Sequence, residues 1–95
     1  MTVHWTESAL ADLQAIFAYT ARHSPRYAQA LVERMFGHTE LLSEHPLLGS
    51  IVSEIDDKSL RQLLETPYRI VYRVLPNQVD VVAVIHAARQ APPAP

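Results

Sequence analysis

Two kinds of hydrophobic spacing divide this chain. Up to about residue 43 the apolar positions recur every three or four residues, and in the last third they crowd into short runs. Over residues 7–22, Leu10, Leu13, Ile16, Phe17, Thr20 and Ala21 follow helical spacing, with Asp12 and Gln14 outside the stripe. Thr6 is suited to cap this helix through its side-chain oxygen, and Glu7 suits the positive helix end. Ser24-Pro25 reads as a stop and a restart, a cap followed by proline at the first helical position, where its missing N–H costs nothing. A second helix over residues 25–43 carries Ala28, Leu31, Val32, Met35, Phe36, Thr39 and Leu42 on one face. Gly37 interrupts it at about 1 kcal/mol relative to alanine. So short a link predicts an antiparallel helical hairpin.

The remaining runs predict strands. Residues 2–5 form a short extended stretch before the first helix. His45-Pro46 ends the second helix, residues 46–50 make a turn, and residues 51–59, with Glu54, Asp56 and Asp57, read as an exposed acidic loop. Three β-like runs follow. Residues 60–65 are rich in leucine, residues 68–75 in aromatic and β-branched side chains, and residues 79–86 are nearly continuous Val, Ala and Ile. Thr66-Pro67 and Pro76-Asn77-Gln78 separate them. The last run has the composition of a strand buried on both faces. The predicted order is β-α-α-β-β-β. This is an α+β fold in which an N-terminal strand and a helical hairpin accompany a small, mostly antiparallel sheet. The helices cover one sheet face, and no further helix remains to cover the other. One domain is expected over residues 1–89, followed by a proline-rich tail, residues 90–95, expected to be disordered or extended.

Composition narrows the function classes. The 95 residues are 48% hydrophobic, as in an ordinary globular chain, and no apolar run approaches the roughly 20 residues that span a bilayer. The N-terminus lacks the basic-then-apolar layout of a signal peptide, which predicts a cytoplasmic protein without membrane contact. There is no cysteine, so disulfides, thiol catalysis and thiolate metal sites are excluded. His4, His23, His38, His45 and His86 show no short ligand spacing, and the two glycines cannot build a nucleophile elbow or a phosphate-cradling loop. No metal and no cofactor is expected. Net charge is −2, but its distribution is uneven. Residues 1–57 set three arginines against eight acids, a net −5. Residues 58–95 set Lys58 and four arginines against Glu65 and Asp80, a net +3. The basic half is the sheet half, which steers acidic partners towards it.

The cations that thread the strand runs are Arg61, Arg69, Arg73 and Arg89, with His86 on the last strand. On the residues alone, Arg69 divides evenly between a functional group and a structural ion pair with an acid such as Glu65. Arg73 reads as solvated or structural. His86, between Ile85 and Ala87, reads as a hydrogen-bonded core histidine about three times in four, since a neutral imidazole needs only one donor and one acceptor. Tyr68 and Tyr72 share a strand face and read as packing residues whose hydroxyls need partners. Trp5 reads as a core anchor.

The stretch VHWTESALADLQAIFAYTARHSPRYAQALVERM, the turn HPLLG, and the runs LRQLLETPYRIVYRV and VVAVIHAAR together resemble the ParE branch of the ParE/RelE toxin superfamily. The resemblance covers residues 3–89. It rests on the ordered set Trp-Thr, Ser-Pro, Pro-Leu-Leu-Gly, Tyr-Arg-Ile-Val-Tyr-Arg and His-Ala-Ala-Arg. It implies the toxin of a type II toxin–antitoxin module, of the kind associated with plasmid stabilisation. Such a toxin is held in a hetero-oligomer by a cognate, ParD-like antitoxin that lies along the hairpin and sheet. ParE-like members poison DNA gyrase, whereas RelE-like members cut mRNA in the ribosome. The ribonuclease branch is implied to use cations over the phosphate plus a proton-transfer residue at the chain's end. Here Arg61, Arg69 and His86 would be the working residues, but no Tyr or His follows Arg89 and Lys58 is the only lysine. The expectation is therefore a gyrase inhibitor acting by contact, with Arg61, Arg69, Arg73, His86 and Arg89 carrying toxicity. Leu10, Leu13, Phe17, Leu31 and Met35 would mix core with antitoxin docking. The alternatives are a ribosome-dependent mRNA endonuclease and a non-toxic binding or regulatory member of the fold.

Overall fold

The computed structural model describes residues 1–88, which leaves Arg89 and the proline-rich tail outside the described residues. The described residues begin with strand β1 (Thr2–Trp5), helix α1 (Glu7–Ala21) and helix α2 (Pro25–Glu40). A short 3-10 turn (Leu41–Ser43) follows, then strands β2 (Ser50–Ile51), β3 (Leu60–Glu65), β4 (Tyr68–Val74) and β5 (Gln78–His86). Both expected helix starts are present. The Ala9 amide donates to the Thr6 hydroxyl at 3.1 Å, and the Tyr27 amide donates to the Ser24 hydroxyl at 3.1 Å. Each bond satisfies an amide that the first helical turn would leave orphaned.

The strands form one sheet in the order β1-β5-β4-β3-β2. β1 runs parallel to β5 and the other neighbours are antiparallel, so the sheet is mixed and mostly antiparallel. β2 differs from the plain turn expected there: two residues pair with Gln62 and Arg61 and give β3 a short edge partner. A bulge between Val71 and Tyr72 admits Val82 as an extra residue in β5 and locally increases the twist.

The helices lie on one face of this sheet. Ala9, Leu13, Leu31, Met35 and Leu42 from the helical part meet Leu63, Ile70, Tyr72, Val79, Val81 and Val84 from the strands. Full burial of each large aliphatic chain contributes about 1.5–3 kcal/mol. Trp5 packs at the edge of this core with its ring 4.9 Å from that of Phe36. The second face is not bare, contrary to expectation. Val52, Leu60, Val71 and Ala83 form a second cluster there, joined by Ile55, Val82 and Ile85. The exposed loop expected over residues 51–59 instead folds across the sheet from residue 52 on, because Val52 and Ile55 punctuate the acidic stretch and Val52 is fully buried. β5 thus packs on both faces, as its continuous apolar run implied.

Candidate functional site

Strand alternation distributes the arginines. Arg69 and Arg73 on β4 share the second face with Leu60 and Leu64 of β3, whereas Arg61 pairs with Tyr72 and belongs to the helix-facing side. The expected grouping of Arg61 with Arg69 is therefore corrected: a strand's side chains alternate, and these two fall on opposite faces.

Arg69 is not displayed on an open surface. It is 6% exposed, and its guanidinium meets both carboxylate oxygens of Glu54, at 3.1 and 2.8 Å, and the Gln62 side-chain oxygen at 2.9 Å. This is the bidentate geometry in which a guanidinium matches a carboxylate. The structural ion pair anticipated for Arg69 is present, but its acid is Glu54. Glu65 sits on the other face, where it accepts from Arg34 at 2.8 Å and faces His38 at 3.3 Å. Four residues along β4, Arg73 donates to Asp57 at 3.0 Å and to the Ser59 hydroxyl at 2.9 Å. Asp57 also accepts from the Ser59 hydroxyl and amide, and these bonds, followed by the hydrogen bond from Arg73, hold its carboxyl below the usual carboxylate value. The basic strand and the acidic loop, read separately in the sequence, neutralise each other.

Arg61 serves the turn before β2. It donates to the carbonyls of Gly49, at 2.7 Å, and Leu47, at 3.3 Å. From β4 the buried Tyr72 hydroxyl accepts from the Gly49 amide at 2.8 Å and donates to the Pro46 carbonyl at 2.9 Å. Burial raises the Tyr72 pKa, so the phenol stays a donor. A Cβ at Gly49 would collide with the Gln62 carbonyl oxygen and lie 2.9 Å from the Tyr72 ring, so the turn closes only with glycine there. Sequence reasoning did not assign this pin. The signal was the pairing of Pro46-Leu47-Leu48-Gly49 with a buried tyrosine in need of a partner.

His86 is exposed at the end of β5, not enclosed in the core. Its Nδ1 accepts from the Ala88 amide at 3.2 Å, and Tyr68 meets it edge-on with ring centroids 6.0 Å apart. A cleft of about 600 Å³ opens beside it, with Asp12, Ile16, Tyr19 and Val84 among its lining. There the Val84 amide donates to Asp12 at 3.0 Å. Arg61, Arg69 and His86 do not converge. His86 pairs with Tyr68 while Arg61 pairs with Tyr72, roughly 13 Å further along β4, and Arg69 lies on the opposite face.

The hairpin residues divide clearly. Leu31 and Met35 are core, at 1% and 0% exposure, and Leu13 is nearly so; they are too enclosed to dock a partner directly. Leu10 and Phe17 are exposed, at 40% each. Between α1 and α2, Leu13, Gln14, Phe17 and Val32 line an open, largely apolar groove of about 360 Å³. Among the described residues, no helix is long and apolar enough to cross a membrane.

An N-terminal strand, a helical hairpin and a five-stranded mixed sheet define the α+β fold of the ParE/RelE toxins. The chain belongs to the family described as the ParE toxin of the type II toxin–antitoxin system parDE, whose profile matches residues 3–91. It is 39% identical over 88 residues to Toxin RelE2 of Caulobacter vibrioides, spanning 92% of this chain and 96% of that relative. Among solved structures it is similar to one described as the chromosomal ParDE system from P. aeruginosa. The TM-score is 0.74 at 26% identity, over 90% of this chain and 95% of that one. It also resembles a chain in the RelBE2 toxin–antitoxin complex of Mycobacterium tuberculosis. There the TM-score is 0.59 at 28% identity, with the same coverage of 90% and 95%.

Proposed function

We propose that this member of the toxin family inhibits DNA gyrase by protein–protein contact and is neutralised in the cytoplasm by a cognate, ParD-like antitoxin in a hetero-oligomeric complex. The observation that carries this reading is the scatter of Arg61, Arg69 and His86. Cleavage beside a 2′-hydroxyl needs a proton acceptor, a proton donor and cations gathered around one phosphate. Three groups divided between two faces and separated along the strand do not form such a centre. Contact with a large partner has no such requirement.

The exposed His86 and the partly exposed Arg61 and Arg73 are the contact residues in this reading. Arg69 acts indirectly, by holding residues 52–59 in place through Glu54. Arg89, outside the described residues, is proposed to contribute to toxicity through its charge. The apolar groove lined by Leu13, Phe17 and Val32, with the exposed Leu10 on the same helix, is the antitoxin's docking site, since a groove of that character is a binding surface of helix-in-groove type. The test is expression of the chain in bacteria with and without its antitoxin, scoring DNA breakage beside message cleavage. Gyrase-linked double-strand breaks that disappear on coexpression of the antitoxin support the proposal. Cuts in translated mRNA with intact DNA would assign the chain to the ribonuclease class. Growth without arrest would leave a non-toxic binding member.

A further inference from the structure

The cleft beside His86 adjoins a second one, of about 230 Å³, lined by His23, Ser24, Tyr27 and Pro67. Tyr19 and Tyr68 belong to both, so the two form one trough that runs from the end of β5 to the loop joining α1 and α2. Aromatic faces follow one another along it. Tyr19 is 61% exposed and Tyr27 46% exposed, while His23 meets Tyr19 and His86 meets Tyr68 edge-on. Tyr19 and Tyr27 keep much of their ring surface in water, while Tyr68 is partly buried against the core.

Cations border the same end of the molecule. Arg22 lies 6.0 Å from the Tyr19 ring, Arg34 lies 5.8 Å from the Tyr27 ring, and Arg26 is exposed on the first turn of α2. Arg34 is paired with Glu65, but neither Arg22 nor Arg26 forms an ion pair among the described residues. The carboxylates nearby are Asp12, inside the cleft with one oxygen occupied by the Val84 amide, and the Glu65 already engaged by Arg34 and His38. This arrangement favours flat, polar rings inside the trough and negative charge along its outer rim.

We propose that the trough binds a short single strand of DNA, with bases stacked on Tyr19, Tyr27 and Tyr68 and phosphates along Arg22 and Arg26. Stacking on aromatic faces combined with a basic rim is the chemistry by which single strands are held without a sequence code. An acidic peptide would satisfy the arginines but leave the rings unused. Of the trough's two aliphatic hydroxyls, Thr20 donates to the Ile16 carbonyl at 2.7 Å, while Ser24 accepts from the Tyr27 amide at 3.1 Å and keeps its own proton to donate. Asp12 keeps one oxygen free of the Val84 amide, so the matching RNA strand is the competitor that the test has to include. The trough includes His86, which the proposed function also uses, but none of Arg61, Arg69 and Arg73 lines it, and the inference does not depend on the choice of toxic target.

The test is fluorescence anisotropy of a labelled six-nucleotide DNA strand titrated with the full chain. Tyr19→Ala and Tyr27→Ala, both at exposed positions, are each expected to weaken binding about fivefold or more, with Tyr19→Trp retaining it. Arg22→Gln and Arg26→Gln are each expected to lower the salt slope by about 0.7. Lys58→Gln, which removes a cation from the far loop, is the control expected to leave binding unchanged. Absence of binding at low salt, equal loss in the Lys58 control, or indifference to the tyrosine changes would overturn the proposal. So would tighter binding of a glutamate-rich peptide or of the matching RNA strand. The readout contains no gyrase and no ribosome, so its failure is separable from failure of the toxic mechanism.

Discussion

The two faces of the sheet are built from the same strands but closed in different ways. The helix-facing side is sealed by apolar side chains, with the hydroxyls of Tyr72 and Thr39 buried among them, and the Tyr72 hydroxyl has both a donor and an acceptor. The other side is closed by a single irregular segment that combines two apolar plugs, Val52 and Ile55, with two ion pairs, Glu54–Arg69 and Asp57–Arg73. Burial of apolar surface drives both, but the second adds a buried guanidinium, Arg69 at 6% exposure, matched by Glu54. A core of the first kind weakens through cavities, whereas a cover of the second kind weakens through orphaned charge.

The largest expected effect tests the first face. Leu31→Ala removes a side chain at 1% exposure and is expected to cost about 4 kcal/mol in urea unfolding. On the second face Arg69→Ala strands Glu54 and is expected to cost about 3 kcal/mol by the same measurement. The double change Arg69→Met with Glu54→Met removes both charges together and is expected to lie within about 1 kcal/mol of the parent. A double variant as unstable as Arg69→Ala would mean that packing, not charge matching, closes that side. Loss of toxicity in Arg69→Ala therefore needs this stability control before it says anything about the target.

Smaller effects sharpen the contrast. Tyr72→Phe leaves the Gly49 amide and the Pro46 carbonyl without their partner and is expected to cost about 2 kcal/mol. The accompanying change in amide exchange should be confined to the turn before β2. The smallest effect is a pH response that only the charge-matched face can give. Asp57 has a lowered pKa, so its contribution is fully present above the ordinary value of 3.8 and is lost as pH falls through the depressed folded value. Stability curves for the parent and for Asp57→Asn are expected to converge in that acid range. Parallel curves would show that the Asp57 bonds add nothing.

Much of this was readable from residue order. Thr6 and Ser24-Pro25 set where the helices start, because capping is a local matter of one side chain and the next few amides. The runs over β3, β4 and β5 announced themselves through β-branched and aromatic density, and β5 carried its two-sided burial in its unbroken apolar composition. The family was legible through motifs whose spacing the fold preserves. Local reasoning failed where partners come from distant parts of the chain. Glu54 and Arg69 are separated by fifteen residues, Asp57 and Arg73 by sixteen, and Tyr72 and Pro46 by twenty-six. Nothing within any of these stretches names the other.

By itself, then, the sequence determined the elements other than β2, their order, the division into an acidic and a basic half, and membership of the toxin family. Capping, periodicity and composition act over a few residues and need no knowledge of the rest. Tertiary structure decided which face each arginine occupies, that Leu31 and Met35 are core while Leu10 and Phe17 are surface, and that the acidic loop is a cover for the basic strand. The first of those outcomes depends on strand register and the others on how the hairpin and the loop pack against the sheet. A shift of a single residue in pairing exchanges the two faces of a strand, and only the folded sheet fixes that shift.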